Sequence, residues 1–241
     1  MYKNKKILAV VTARLGSKRL KKKNIIYFKK NKCLLDFTFN ASRKSNFLDR
    51  VVLSTESKKI AIIAKKIGFE VPFLRSKKFS LAGVPAVIPV VDMIKKLKNK
   101  YDYIILLQPT SPLRRGSDID KAIKKMIDFK YQSLQSISKS NKKKKYLINL
   151  NKDKTIELQS LMQHQINNKS LINSSKLNSV SFNSKKKYQY YLNGALFISK
   201  TKHLLNKKSF VSNKTGFYMM PDKRSIDVDT MSDLKKLKEI L

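Results

Sequence analysis

The sequence predicts an α/β fold built on a parallel or mostly parallel sheet with helices on both faces, and three observations carry that expectation. Short apolar runs at 7–11, 51–54 and 103–107 have the length and composition of strands buried on both faces. Segments with helical spacing of apolar residues lie between them, and polar loops follow the strand-like runs. Strand and helix alternating at this interval are the pattern of a sheet covered on both sides.

The elements follow in order. The run 7–11 leads into a basic loop, 12–24, and Lys3, Lys5 and Lys6 before it only faintly mimic a secretion signal, because Arg14, Lys18 and Arg19 follow at once. After 51–54, the stretch 57–68 carries Ile60, Ile63, Ala64 and Ile67 on one helical face and ends at Gly68, a common helix stop. A strand is expected at 70–73, a helix at 88–97 after Pro85 and Pro89, then the strand 103–107, a loop at 108–116 and a helix at 118–129. From 130 to 188 the chain turns rich in Lys, Asn and Ser and lacks Gly and Pro; a protruding insertion, a partner-binding arm and a linker all fit that composition. A strand at 190–198 and a lysine-bearing helix at 232–241 close the chain, which contains no internal repeat.

Composition narrows the function classes. With 241 residues and 41% apolar content the chain supports one substantial core, so a single domain, 1–241, is expected. Cys33 is the lone cysteine, which excludes an intrachain disulfide framework, gives no sign of a thiolate metal site and suits a reducing, cytoplasmic setting. No uncharged apolar stretch approaches the roughly 18 residues that span a bilayer, so no membrane partner is expected. The formal charge of +38 would by itself suggest nucleic-acid binding. Only eight of the 54 basic residues are arginine, the side chain that base readers favour, and the lysines are spread along the whole chain. Solvated lysine faces without a specific nucleic-acid partner, and a general attraction for polyanions such as nucleoside triphosphates, account for that distribution.

One loop offers chemistry directly. Ala13-Arg14-Leu15-Gly16-Ser17-Lys18-Arg19-Leu20-Lys21-Lys22-Lys23-Asn24 comes straight after a buried strand, where ligand crevices of parallel sheets lie. Gly16 and Ser17 permit close approach of backbone N–H groups to a phosphate, and the arginines and lysines supply positive charge. A basic surface turn would read the same way.

The loop resembles the signature of the acylneuraminate cytidylyltransferase family, in which Ala-Arg-x-x-Ser-Lys and a following Lys-Asn bind CTP phosphates. Four further blocks resemble that family in the same order: Val51-Val52-Leu53-Ser54-Thr55-Glu56, Leu106-Leu107-Gln108-Pro109-Thr110-Ser111-Pro112-Leu113-Arg114, Asn193-Gly194-Ala195-Leu196-Phe197 after Tyr190, and Ser225-Ile226-Asp227-Val228-Asp229-Thr230. The resemblance implies a Rossmann-like nucleotidyltransferase with a small protruding dimerisation insertion at 130–188, working as a homodimer. It implies CMP transfer from CTP to a nine-carbon (nonulosonic) 2-keto-3-deoxy sugar acid such as N-acetylneuraminic or legionaminic acid, with release of pyrophosphate. Arg14, Ser17, Lys18, Lys23 and Asn24 would meet the nucleotide, Gln108 and Asn193 would contact substrate, and Asp227 and Asp229 would hold Mg2+, or Mn2+ in its place. Arg14, Lys23, Asp227 and Asp229 would be the catalytic set. In an extended stretch, residues two apart point to one side, so both carboxylates can face one cation; a competing role is capping of the last helix, a task better suited to Thr230 or Ser232.

The chain departs from the family pattern in several places. Lys21 replaces a usual proline, Glu56 a usual aspartate, and 81–86 offers no hydroxyl or carboxylate for the nucleotide. An Arg-Arg-Gln associated with the acidic sugar is absent; Phe182-Asn183-Ser184 stands there, followed by Lys185, Lys186 and Lys187. The first loop also resembles cytidylyltransferases for the eight-carbon acid KDO, which lack the Gln-Pro-Thr-Ser-Pro-Leu-Arg block. A pseudaminic acid cytidylyltransferase and a non-catalytic relative would carry similar blocks.

Overall fold

The computed structural model describes residues 1–17, 19–29, 31–140, 147–167 and 189–241. Its centre is a seven-stranded sheet of β1 (Ile7–Thr12), β2 (Arg50–Ser54), β3 (Tyr103–Leu107), β4 (Ser133–Ser140), β5 (Leu147–Ile148), β6 (Gln189–Lys200) and β7 (Thr215–Met219). The order across the sheet is β2-β1-β3-β6-β4-β7, with β5 pairing the outer half of β6. β1 runs parallel to β2 and β3, and β4 parallel to β7, while β6 lies antiparallel to β3, β4 and β5. β6 is thus the one reversed strand in a mostly parallel sheet.

Alternation along the strands builds two cores. Ile7, Ala9 and Val11 of β1 and Ile105 and Leu107 of β3 face α1 (Leu34–Arg43), α2 (Lys58–Ile67) and α4 (Gly116–Asp128). Leu8, Val10, Ile104 and Leu106 face the opposite way, against α3 (Val87–Lys96) and Leu204 of α6 (Thr201–Lys207). Both sets are essentially fully buried, as continuous apolar runs on a two-sided sheet require. A third cluster fastens the two ends of the chain together: Leu20 of the first loop and Leu34 of α1 pack on Val228 and on Leu234 and Leu237 of α7 (Met231–Ile240).

The expected elements at 7–11, 51–54, 57–68, 88–97, 103–107, 118–129, 190–198 and 232–241 all form, with ends shifted by at most two residues. Ser57 caps α2 by accepting from the Ile60 amide, and Gly68 ends it in the left-handed region at φ 112°. The strand expected at 70–73 does not form. Leu53 donates to the Glu70 carbonyl as a single parallel bridge, and Pro72 has no amide with which to extend the ladder.

The segment 130–188 does not start as a protrusion, because β4 lies within the main sheet between β6 and β7. Its sequence, SLQSISKS, is polar on both faces, so hydropathy does not reveal it. The buried serines are satisfied locally: Ser133 meets Ser212 and Thr215, Ser136 donates to Asn193, and Ser138 donates to the Met220 carbonyl. Beyond it come β5 and α5 (Leu158–Asn167); residues 141–146 and 168–188, including 182–187, lie outside the described residues. Among the described residues no helix is long and apolar enough to cross a membrane.

Candidate active site

A cleft of about 460 Å³ opens at the carboxyl ends of β1 and β3, the position at which open parallel sheets take ligands. One side is the loop after β1. The Ala13 amide donates to the Ser54 carbonyl at 3.0 Å, carrying the parallel ladder one residue past the strand. The Leu15 amide then donates to Glu56 Oε1 at 2.8 Å, and Asn24 Nδ2 donates to the Arg14 carbonyl at 3.2 Å. Lys22 adopts the left-handed conformation at φ 55° and turns the chain into a 3-10 helix over Lys23–Ile25. Ile25 and Asn24 are buried by that turn, which leaves Lys23 directed into the cleft with its side chain only 15% exposed.

The facing side is built from the C-terminal segment. The Val228 amide donates to the Thr110 carbonyl at 2.8 Å and its side chain is fully buried, so Asp227 and Asp229 on either side of it both line the cleft. Lys23 Nζ stands 2.6 Å from Asp229 Oδ1, and Arg19 pairs with Oδ2 of the same carboxylate. Asp227 lies beside the Thr110 side chain instead and forms no ion pair with Lys23 or Arg19. Although its edge is open to the cleft, protein atoms ring it; that desolvation first, and the neighbouring Asp229 charge next, raise its carboxyl above the usual aspartate value, with Thr110 and Lys23 opposing. Capping of α7 falls to Thr230, whose hydroxyl accepts from the Asp233 amide in a reciprocal capping box, so neither cleft aspartate is consumed there.

The third wall runs from Arg75 through Ser80 and Leu81. Arg75 is 5% exposed and donates to Glu56 Oε2 at 3.0 Å, to the Ser54 carbonyl at 3.1 Å and to Ser80 Oγ at 2.7 Å. Arg14 reaches across the cleft to the Ser80 and Leu81 carbonyls at 3.3 and 3.1 Å. Burial would push the Glu56 carboxyl up, but the Leu15 amide, its own backbone amide, the Ser80 hydroxyl and Arg75 outweigh it and hold the group below the ordinary glutamate value.

Gln108 forms the floor at the end of β3. Arg114, entirely enclosed and with its pKa pushed down to about 10 by that burial, clamps the Gln108 carbonyl to the Ala195 carbonyl through Nη1 at 3.1 and 2.5 Å. Gly194 sits at φ 71°, and a Cβ there would meet Gln108 Oε1 at 3.1 Å. Gly194→Ala is therefore expected to cost about 1–2 kcal/mol through its left-handed backbone and to press on Gln108. Gly16→Ala, with nothing within 4 Å of its would-be Cβ, is expected to leave the thermal denaturation midpoint in place. Equal midpoints for the two variants would contradict this.

Of the residues singled out in the sequence, Arg14, Ser17, Lys23, Asn24, Gln108, Asp227 and Asp229 all line this cleft. Lys18 lies outside the described residues. Asn193 does not reach the cleft: it is 4% exposed, accepts from Ser136 Oγ at 2.6 Å, and donates to Ser138 and Ser225 at 2.9 and 3.1 Å. It ties β6 to β4 and to the chain just before Asp227. Arg75 is a lining residue that sequence reasoning missed, Arg19 belongs to the basic loop already singled out, and Glu56 and Arg75 find each other only through the fold, 19 residues apart.

Among the described residues no group of three or more His, Cys, Asp or Glu side chains could cage a metal. Two aspartate carboxylates in a phosphate-sized, cation-lined cleft are a donor set that fits a hard divalent cation sharing its shell with phosphate oxygens and water.

Comparison with known proteins bears on the family and the fold. A CMP-N,N'-diacetyllegionaminic acid synthase of Legionella pneumophila is 30% identical over 242 residues, covering 98% of this chain and 97% of its own. An N-acylneuraminate cytidylyltransferase of Escherichia coli is 28% identical over 95% of this chain, which spans 51% of that longer relative. Among solved structures, a CMP:2-keto-3-deoxy-manno-octonic acid synthetase complexed with CTP superposes with a TM-score of 0.71 over 98% of both chains at 14% identity, a likeness of fold. The model of the family described as Cytidylyltransferase matches residues 8–240, nearly the whole length, and the chain belongs to that family.

Proposed function

We propose that this chain transfers CMP from CTP to the anomeric hydroxyl of a nine-carbon 2-keto-3-deoxy sugar acid of the N-acetylneuraminic or legionaminic kind. The observation that carries the proposal is the meeting of Arg14, Arg19 and Lys23 with Asp227 and Asp229 across one cleft at the strand ends. A legionaminic acid synthase that matches from end to end supports the nine-carbon preference. The KDO enzyme's likeness is one of fold alone.

In the reaction the hydroxyl oxygen attacks the α-phosphorus, the bond to the bridging oxygen breaks, and pyrophosphate leaves. Charge grows on the phosphate oxygens, so catalysis rests on positioning and on fixed cations. Lys23, 15% exposed on a turn anchored by Ile25, is better fixed than its neighbour Arg19, which is 61% exposed. Arg14 holds neutral carbonyls in the free protein, and a phosphate oxygen is a stronger acceptor for the same fork. Asp227 and Asp229 would hold Mg2+ or Mn2+, which would neutralise phosphate charge; Lys23 and Arg19 occupy Asp229 in the free protein and would turn to the triphosphate as it binds.

The test is pyrophosphate release with CTP and Mg2+ across N-acetylneuraminic, legionaminic, pseudaminic and KDO acids. Release is expected with a nine-carbon acid of the first two kinds. Release with KDO or pseudaminic acid alone would overturn the substrate assignment, and none with any acid would overturn the reaction.

A further inference from the structure

We infer that Glu56 is a positioning residue that locks the phosphate loop to the opposite wall of the cleft, so that the loop keeps its place when Arg14 turns from protein to nucleotide. The inference rests on the reading that the cleft takes CTP phosphates. Glu56 follows the end of β2 by two residues and uses its two oxygens on different segments: Oε1 accepts from the Leu15 amide at 2.8 Å, and Oε2 accepts from Ser80 Oγ at 2.8 Å and Arg75 at 3.0 Å. In the free protein the same two segments are also joined by Arg14, through the Ser80 and Leu81 carbonyls. Once Arg14 engages phosphate, those bonds are surrendered and Glu56 is the remaining side-chain link between Leu15 and Ser80 among the described residues.

A carboxylate beside a phosphate site is an electrostatic liability unless it is neutralised. Arg75, buried and bound to the same oxygen, supplies that neutralisation, and its fork is fixed in turn by the Ser54 carbonyl and Ser80. A glutamate can span from the strand end to both the loop amide and the far wall. An aspartate, one methylene shorter, reaches one or the other without a backbone shift.

Two mechanisms then predict opposite signs. If Glu56 acted only through its charge, Glu56→Gln would remove a negative group near the phosphates and tighten CTP. If it positions the loop, Glu56→Gln keeps an acceptor for Leu15 but turns an amide against Arg75 and Ser80, and CTP weakens. We expect Glu56→Gln and Glu56→Ala to weaken CTP about tenfold, the equivalent of roughly 1.4 kcal/mol, with kcat changed far less than KM for CTP. Glu56→Asp should recover part of the loss, and Ser80→Ala, which spares the Leu15 bond, should have the smaller effect.

Amide hydrogen exchange in nucleotide-free protein separates this from failure of the CTP reading. Exchange at 13–17 is expected to rise about tenfold in Glu56→Ala, which removes the acceptor of the Leu15 amide, while the amides of β1 and β3 keep their protection; this holds whether or not CTP is the ligand. Unchanged exchange at 13–17, or a uniform rise across the sheet with a lowered melting temperature, would overturn the positioning role. Tighter CTP binding by Glu56→Gln would also overturn it. Absence of CTP binding to the unsubstituted protein, together with faster loop exchange in Glu56→Ala, would overturn the nucleotide assignment alone.

Discussion

Replacing Lys23 with alanine is expected to lower kcat for pyrophosphate release by about 10²–10³-fold, the cost of losing one fixed group aimed at developing charge, while the fold survives. The fold survives because Lys23 contributes little to the core. The 3-10 turn that carries it is held by buried Ile25 and Asn24, by the Asn24 bond to the Arg14 carbonyl and by Leu20 against Val228 and α7. Asp229, robbed of Lys23, still has Arg19. Catalysis does not survive, because neither neighbouring cation can take its place: Arg19 is on a side chain 61% exposed, and Arg14, which starts from the opposite wall, has its own phosphate contact to make. Lys23→Arg should not rescue the activity, since a planar fork cannot take the place of a compact ammonium 2.6 Å from Asp229 in a site packed to 15% exposure. Steady-state kinetics beside thermal denaturation decide the matter. A variant with unchanged kcat would remove Lys23 from the catalytic set, and one with a collapsed melting temperature would assign it to the fold.

How much of the fold and the site is legible in the sequence depends on what kind of signal each residue carries. The two-sided strands announce themselves as apolar runs, because burial on both faces removes the need for alternation; β1 and β3 are of that kind. β4 is equally buried and invisible, since its serines offset their desolvation with partners contributed by β6, by β7 and by the loops at 212 and 225. The Asp227–Asp229 spacing is informative because it is local geometry: an extended segment with a buried Val228 between them must send both carboxylates to one side. Arg75 and Glu56 carry no such local pattern, and their partnership exists only once α2 has folded the chain back along β2. Asn193 shows the converse case. A motif position suggests substrate, but four hydrogen bonds to buried partners consume its amide.

The two aspartates line one cleft but differ in what else they hold, and that difference predicts different variants. Asp229 fixes Lys23 and Arg19, so Asp229→Asn removes an oxygen donor for the cation and also loosens two groups that would meet the phosphates. Asp227 forms no ion pair with Lys23 or Arg19, so Asp227→Asn removes the donor and leaves both of those pairs in place. Both are expected to lose roughly 10²–10³-fold in kcat, but only Asp229→Asn should also shift KM for CTP. Mn2+ read by electron paramagnetic resonance provides a measure independent of turnover. In the unsubstituted protein Mn2+ alone should bind weakly, because Lys23 and Arg19 compete for Asp229, and CTP should tighten it by drawing those cations to its phosphates. Asp227→Asn should abolish that tightening while CTP still binds in metal-free solution. Tight Mn2+ binding without nucleotide, or tightening that persists in Asp227→Asn, would show that the carboxylate pair is not where the cation sits.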